Sequence, residues 1–148
     1  MEIVTADLWD QYPDKLTLLN LDLLHFGRKD NFMGQIMTIK VHEDNTYVRK
    51  LLSEDGTGKV LVIDGGGSKR CALVGDKIAK LAIENHWEGV IVYGCIRDVK
   101  EIQTLEVGIK AIGTCPVKSI KRDVELPGEI LYMDGTHIRQ GQNLYADL

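Results

Sequence analysis

Two short apolar runs, Val60-Leu61-Val62-Ile63 and Val90-Ile91-Val92-Tyr93, set the narrowest limits on what this chain can become. Neither alternates with polar residues, which is the pattern of a strand covered on both faces. Each ends in glycine, at Asp64-Gly65-Gly66-Gly67 after the first and at Gly94-Cys95 after the second. Each then gives way to helical spacing. Gly75-Asp76 opens one helix with Ile78, Leu81 and Ala82 inward, and a second, short helix follows Asp98 to about Leu105. Gly89 closes the connection between them, and a third strand follows at Ile109 to Ile112. Strand–loop–helix order of this kind needs crossover connections, so the sheet is at least partly parallel.

The flanking segments add other elements. Thr5 to Asp10 reads as a short capped helix that stops before Pro13. Gln35 to Val41 alternates, with Met37, Ile39 and Val41 on one face of a strand. Val48, Leu51 and Leu52 mark a helix that starts after Glu43-Asp44-Asn45 and ends near Gly56-Thr57-Gly58. Near the end, Glu129 to Met133 and Thr136 to Ile138 flank Asp134-Gly135, a hairpin signature, and Leu144-Tyr145-Ala146 begins one more strand. The expectation is an α/β domain spanning 1–148 with a mixed, partly parallel sheet.

Charge and cysteine usage narrow the function classes. The net charge of -4 argues against direct nucleic-acid binding. The basic residues Lys118, Lys121 and Arg122 are interrupted by Asp123 and Glu125 and read as a solvated face. No apolar run approaches the roughly 20 residues that span a bilayer, and the N-terminus lacks the pattern of a signal peptide. Cys71, Cys95 and Cys115 are odd in number and form no CxxC pair, so reduced thiols in a cytoplasmic protein are expected. His25, His42, His86 and His137 show no metal-ligand spacing.

In open α/β sheets ligands bind beyond the carboxyl ends of the strands. The two glycine loops leave the sheet there, and the helix opening at Gly75 offers backbone N–H groups suited to a carboxylate. Arg97 can hold an oxo-acid oxygen through a planar fork of donors. Asp98 is a hard oxygen ligand of the kind magnesium uses, often with only one or two carboxylates and waters. Each feature also has a plainer reading. Asp98 with Glu101 is a helix N-cap with its reciprocal partner, Gly65-Gly66-Gly67 is a tight turn or a weak nucleotide or S-adenosylmethionine loop, Arg97 is a surface arginine, and His86-Trp87 is a helix end.

The same segments carry a family resemblance. Val60-Leu-Val-Ile-Asp-Gly-Gly-Gly67, Ala72-Leu-Val-Gly-Asp76, Gly89-Val-Ile-Val-Tyr-Gly94 and Arg97-Asp98 resemble the RraA-like family. Gly34-Gln-Ile-Met-Thr38 and Leu144-Tyr-Ala-Asp147 extend the likeness over nearly the whole chain. The family includes the bacterial inhibitor of ribonuclease E and class II, metal-dependent 4-hydroxy-4-methyl-2-oxoglutarate aldolases. The resemblance implies a swivelling-type β/β/α domain, assembly as a homotrimer, and a further strand after the Tyr-Ala-Asp segment, whereas this chain stops at Leu148.

The branches differ in one motif. The aldolases pair an acidic or glycine position near Gly75-Asp76 with Arg-Asp and then an acidic residue three positions on. Asp76, Arg97-Asp98 and Glu101 fit that pattern, whereas Gly34-Gln-Ile-Met-Thr38 and Glu43-Asp-Asn45 resemble the inhibitor branch, which lacks the Asp after the Arg. The motif carries more weight, because the chemistry depends on the metal ligand. The resemblance then implies that Asp98 binds a divalent metal (Mg2+ or Mn2+). Gly75, Asp76, Lys77 and Ile78 line the oxo-acid site, Arg97 holds the substrate, and Glu101 supports the site from behind. The implied reaction is cleavage of 4-hydroxy-4-methyl-2-oxoglutarate to two pyruvates, with oxaloacetate decarboxylation beside it. The alternatives are a non-catalytic regulator with a ribonuclease or helicase partner and, on the Asp-Gly-Gly-Gly stretch alone, a methyltransferase.

Overall fold

The two apolar runs lie side by side in the middle of a sheet. The computed structural model describes residues 2–120 and 125–148. In chain order the elements are α1 (Thr5–Gln11), β1 (Leu24–Phe26), β2 (Phe32–Val41), α2 (Thr46–Leu52), β3 (Lys59–Asp64), β4 (Ala72–Val74) and α3 (Asp76–Glu84). They continue with β5 (Gly89–Ile96), α4 (Val99–Ile102), β6 (Ile109–Thr114), β7 (Glu125–Pro127), β8 (Leu131–Met133), β9 (Thr136–Ile138) and β10 (Asn143–Ala146). Lys121, Arg122 and Asp123 of the basic stretch lie outside the described residues.

The main sheet runs β1-β6-β5-β3-β2-β10, with β4 beside β5 and β7 beside β2. β2, β3, β5 and β6 are parallel neighbours. β1, β7 and β10 join antiparallel. Side chains alternate across a strand, so β3 sends Leu61 and Ile63 to one face and Val60 and Val62 to the other, all fully buried. On the first face Ile39, Val90, Val92 and Ile109 join them against Val48 and Leu52 of α2, Ile78 and Ala82 of α3 and Ile102 of α4. On the second, Phe32, Ile36 and Ile91 pack against Leu131, Met133 and Ile138 of the β8–β9 hairpin. Helices, sheet and hairpin thus stack in the expected β/β/α order. At the hairpin turn Asp134 (φ 46°) and Gly135 (φ 79°) are both left-handed, the conformation that matches strand twist in a two-residue turn.

The ends of elements depart from expectation for local reasons. α4 stops at Ile102, and the N–H groups of Thr104 and Leu105 turn back to the carbonyls of Glu101 and Ile102, both at 3.0 Å. α3 ends with His86 left-handed (φ 65°). The N–H groups of His86 and Trp87 donate to Ile83 and Ala82 at 3.2 and 3.0 Å, a Schellman closure. The helix-end reading of His86-Trp87 therefore holds. α1 has no side-chain cap from Val4 before it. Its cap comes from Asp147, whose carboxylate accepts the Thr5 N–H at 2.8 Å and the Thr5 hydroxyl at 2.7 Å. The three cysteines are buried thiols, none in a disulfide among the described residues.

Candidate functional site

Topology brings the ends of β4 and β5 against the start of α3. β4 and β5 are parallel, with Val74 opposite Ile96, and the Arg97 N–H donates to the Val74 carbonyl at 3.0 Å. One strand therefore delivers Gly75-Asp76 and its neighbour delivers Arg97-Asp98 to the same place.

Asp98 sits at the N-cap position of α4 with φ 58° and ψ 39° and makes no capping bond to that helix. The capping-box reading of Asp98 and Glu101 is thereby corrected. The left-handed backbone, which costs roughly 1–2 kcal/mol for most residues and suits Asp or Asn best, turns the carboxylate away from α4. Asp98 Oδ2 instead accepts the N–H of Asp76 at 3.1 Å, at the amino end of α3. A Cβ on Gly75 would lie 2.7 Å from that oxygen and 3.6 Å from Arg97 Cγ and Nε. Glycine at 75 is thus a requirement of close approach rather than of backbone angle, since its φ is -118°.

Asp76 completes a carboxylate pair. Its own carboxyl lies beside that of Asp98 and is held below the usual range. Partial burial pushes it up, but the Asp98 contact, the Lys77 backbone N–H and the charges of Lys80 and Lys77 together outweigh this. Lys80, one turn along α3, places Nζ 3.7 Å from Asp76 Oδ2 and 3.4 Å from Glu101 Oε1, bridging α3 to α4. Arg97 Nε stands 4.0 Å from Asp98 Oδ2. An Arg97 terminal nitrogen donates to the Pro116 carbonyl at 3.5 Å, and two-fifths of the side chain remains exposed. Lys77 is exposed, whereas the Ile78 side chain is buried in the core. Only the backbone N–H of Ile78 is placed to meet a ligand, since first-turn amides lack helical acceptors.

The glycine loop has a different part. The N–H groups of Gly65 and Gly67 both donate to the Tyr93 carbonyl, at 3.0 and 3.1 Å, and that of Gly66 donates to Asp64 Oδ1 at 2.8 Å. Two of the three amides hold the loop to β5 and the third is spent on Asp64 at the end of β3, so none cradles a phosphate, and the tight-turn reading holds.

The sequence-derived residues Gly75, Asp76, Lys77, Arg97, Asp98 and Glu101 are therefore neighbours, with Ile78 contributing backbone. Lys80 and the Pro116 carbonyl were not anticipated. The i,i+4 spacing of Asp76 and Lys80 was a usable signal, whereas nothing local marks Pro116. Among the described residues no three His, Cys, Asp or Glu side chains converge as a metal cage. Two adjacent carboxylates with open surface fit a hard cation that keeps its waters, and do not fit a closed tetrahedral site.

Fold and site together define an α/β protein with an anionic pair, a guanidinium and helix amides at the carboxyl edge of its sheet. The family model RraA-like (Aldolase/RraA) matches residues 5–148, and the chain belongs to the RraA-like family. It is 50% identical to a protein of Vibrio vulnificus provisionally named 4-hydroxy-4-methyl-2-oxoglutarate aldolase, over 99% of this chain and 92% of that one. A Geobacillus kaustophilus structure described as an S-adenosylmethionine:2-dimethylmenaquinone methyltransferase aligns at a TM-score of 0.95 and 45% identity, over 98% of this chain and 90% of that one. The RNA-processing inhibitor RraA of a Thermus species aligns at 0.93 and 40% identity, over 99% and 89%.

Proposed function

We propose that this chain is a metal-dependent lyase that cleaves 4-hydroxy-4-methyl-2-oxoglutarate to two pyruvates and decarboxylates oxaloacetate as a side reaction. The observation that carries this reading is the left-handed Asp98. Its backbone is strained so that its carboxylate joins Asp76 at the start of α3, with Arg97 beside it. The aldolase names of relatives such as that of Vibrio vulnificus support the same reading.

Asp98, with Asp76 beside it, would hold Mg2+ or Mn2+ together with waters. When bound, the cation supplies Lewis-acid polarisation of the 2-oxo group. The substrate's C1 carboxylate meets the α3 amides near Lys77 and Ile78. As the C3–C4 bond breaks, its electron pair moves to C3, and Arg97 faces the enolate oxygen charge that develops. The C4 hydroxyl becomes the ketone of one pyruvate and loses its proton to a water oriented by Asp76 or Glu101. Protonation at C3 yields the second pyruvate. Loss of carbon dioxide from oxaloacetate uses the same enolate.

Pyruvate release from both substrates tests this. Turnover should require magnesium or manganese and vanish with EDTA. Labelling of a lysine by borohydride with pyruvate would sink the reading. By family likeness the protein acts as a cytoplasmic homotrimer, which sedimentation at micromolar concentration checks. The second reading, a regulator of a ribonuclease or helicase, rests on the 40% identity to RraA. It gains ground if no oxo acid is turned over.

A further inference from the structure

We infer that Lys80 is a specificity residue that selects oxo acids carrying a second carboxylate, an inference that rests on the oxo-acid lyase reading above. Lys80 is held from two elements, 3.7 Å from Asp76 on α3 and 3.4 Å from Glu101 on α4, with close to half of its side chain exposed. A lysine tethered by one carboxylate swings freely, whereas one bridging two elements is kept between them, here beside the Asp76–Asp98 pair.

Its place along the helix suits the length of the ligand. An oxo acid whose C1 carboxylate rests on the first-turn amides of α3 lies at the amino end of that helix. Lys80 is four residues beyond Asp76, about 6 Å along the axis, but its side chain leans back toward the helix start and puts Nζ 3.7 Å from Asp76 Oδ2, within reach of the far carboxylate of a four- or five-carbon diacid. A monocarboxylic oxo acid such as pyruvate ends short of it.

Charge explains why the lysine becomes available. Arg97, Lys80 and Lys77 face Asp76, Asp98 and Glu101, three cations against three carboxylates, so the empty set is balanced in charge. A divalent cation on the Asp76–Asp98 pair leaves the set with a net positive charge. It also competes with Lys80 for Asp76. Lys80 is then free to exchange Asp76 for the distal carboxylate of the substrate while Glu101 keeps it in place. The selection follows from the difference between a ligand that answers this charge and one that leaves it unanswered.

Calorimetric titration of the magnesium-loaded protein with 2-oxoglutarate and with pyruvate tests the inference without turnover. 2-Oxoglutarate is a diacid that lacks the C4 hydroxyl and cannot be cleaved. The wild type should bind it more tightly than pyruvate. Lys80→Met, at an exposed helical position, should weaken 2-oxoglutarate about tenfold or more, leave pyruvate unchanged and keep the wild-type circular dichroism spectrum. Lys80→Arg should retain most of the preference. Equal weakening of both ligands would assign Lys80 to holding Asp76 alone and overturn the inference, as would an unchanged affinity for 2-oxoglutarate. A wild type that binds neither ligand overturns the oxo-acid reading itself and the inference with it. Oxaloacetate turnover by Lys80→Met should show the loss in KM rather than in kcat.

Discussion

Two pairs of like-charged groups sit at opposite regions of this molecule and meet opposite fates. At the start of α3, the Asp76 and Asp98 carboxylates are neighbours, the Asp76 N–H donates to Asp98, and the Asp76 carboxyl is nevertheless held below its ordinary range. On the hairpin side of the sheet, at the β1 edge, His25 and Lys110 face each other across two strands, with Nζ 3.3 Å from Nδ1. Both of those bases are pushed below their ordinary values. Burial is the leading cause for each, and for His25 the Lys110 charge adds to it. Asp30 pulls against both shifts, Asp147 against that of Lys110, and the backbone near Gly27 and Lys29 against that of His25, without prevailing.

The difference lies in what surrounds each pair. The carboxylates border solvent and have a helix amide, Lys80 and Arg97 within reach. The bases are half-buried, and His25 Nε2 is fully enclosed with no hydrogen-bond partner among the described residues. A like-charged pair supported by opposite charges stores negative potential ready for a cation. One without such support gives up a charge instead. Only the first arrangement is suited to recruiting a ligand.

The largest test of this contrast removes one charge from the supported pair. Asp98→Asn keeps an oxygen to accept the Asp76 N–H and a residue type that tolerates the left-handed backbone, so the thermal melt should barely move. Magnesium-dependent pyruvate release should fall by about 10²–10³-fold, the scale of losing one charge-placing group in an active site. Asp98→Ala should lose turnover equally and also cost about 1–2 kcal/mol, because alanine neither caps α3 nor suits φ 58°. Wild-type turnover in Asp98→Asn would reduce Asp98 to a cap of α3.

A smaller effect should come from Gly75→Ala, which leaves every charge in place. The new Cβ would stand 2.7 Å from Asp98 Oδ2, so the carboxylate must shift. Displacement of a catalytic group by about 1 Å costs on the order of 10²-fold in rate at most, while the rest of the core is untouched. The unfolding free energy read from denaturant titration should fall by about 1–3 kcal/mol, the range for overpacking. A variant with full activity would show that the Asp76–Asp98 contact is dispensable.

These sites differ in how far the sequence disclosed them. The central strands were legible because continuous apolar runs such as Val60 to Ile63 admit few other fates. Gly75 and Asp98 were legible as occupants of one sheet edge from strand order, and as parts of one motif through family resemblance. Spacing alone favoured a cap on α4, and the left-handed turn at Asp98 that redirects the carboxylate is a tertiary outcome. The three-residue strands β1, β4 and β7 carry too few residues for periodicity to register. Lys110 lies next to Ile109 in an ordinary strand, and its pairing with His25 depends on an antiparallel register between segments 85 positions apart. No local pattern encodes that.

The smallest expected effect concerns this second pair and is read as stability against pH. The His25 value is lower in the folded chain than in the unfolded one. Between the folded value and the ordinary value of 6.5, the unfolded chain therefore binds more protons, and stability rises with pH through that window. Stability attributable to His25 is complete above 6.5 and is lost as pH falls below it. Lys110→Met removes the facing charge, so the His25 value should rise towards normal and the slope below pH 6.5 should flatten. His25→Gln should flatten it as well. At pH 8 both variants should differ from the wild type by about 0.5–1 kcal/mol, and oxaloacetate turnover should be unaffected, since neither residue adjoins the α3 site. Urea midpoints across that pH range decide the matter. A wild-type slope that persists in both variants would place its source elsewhere, and the contrast between the two pairs would lose its second half.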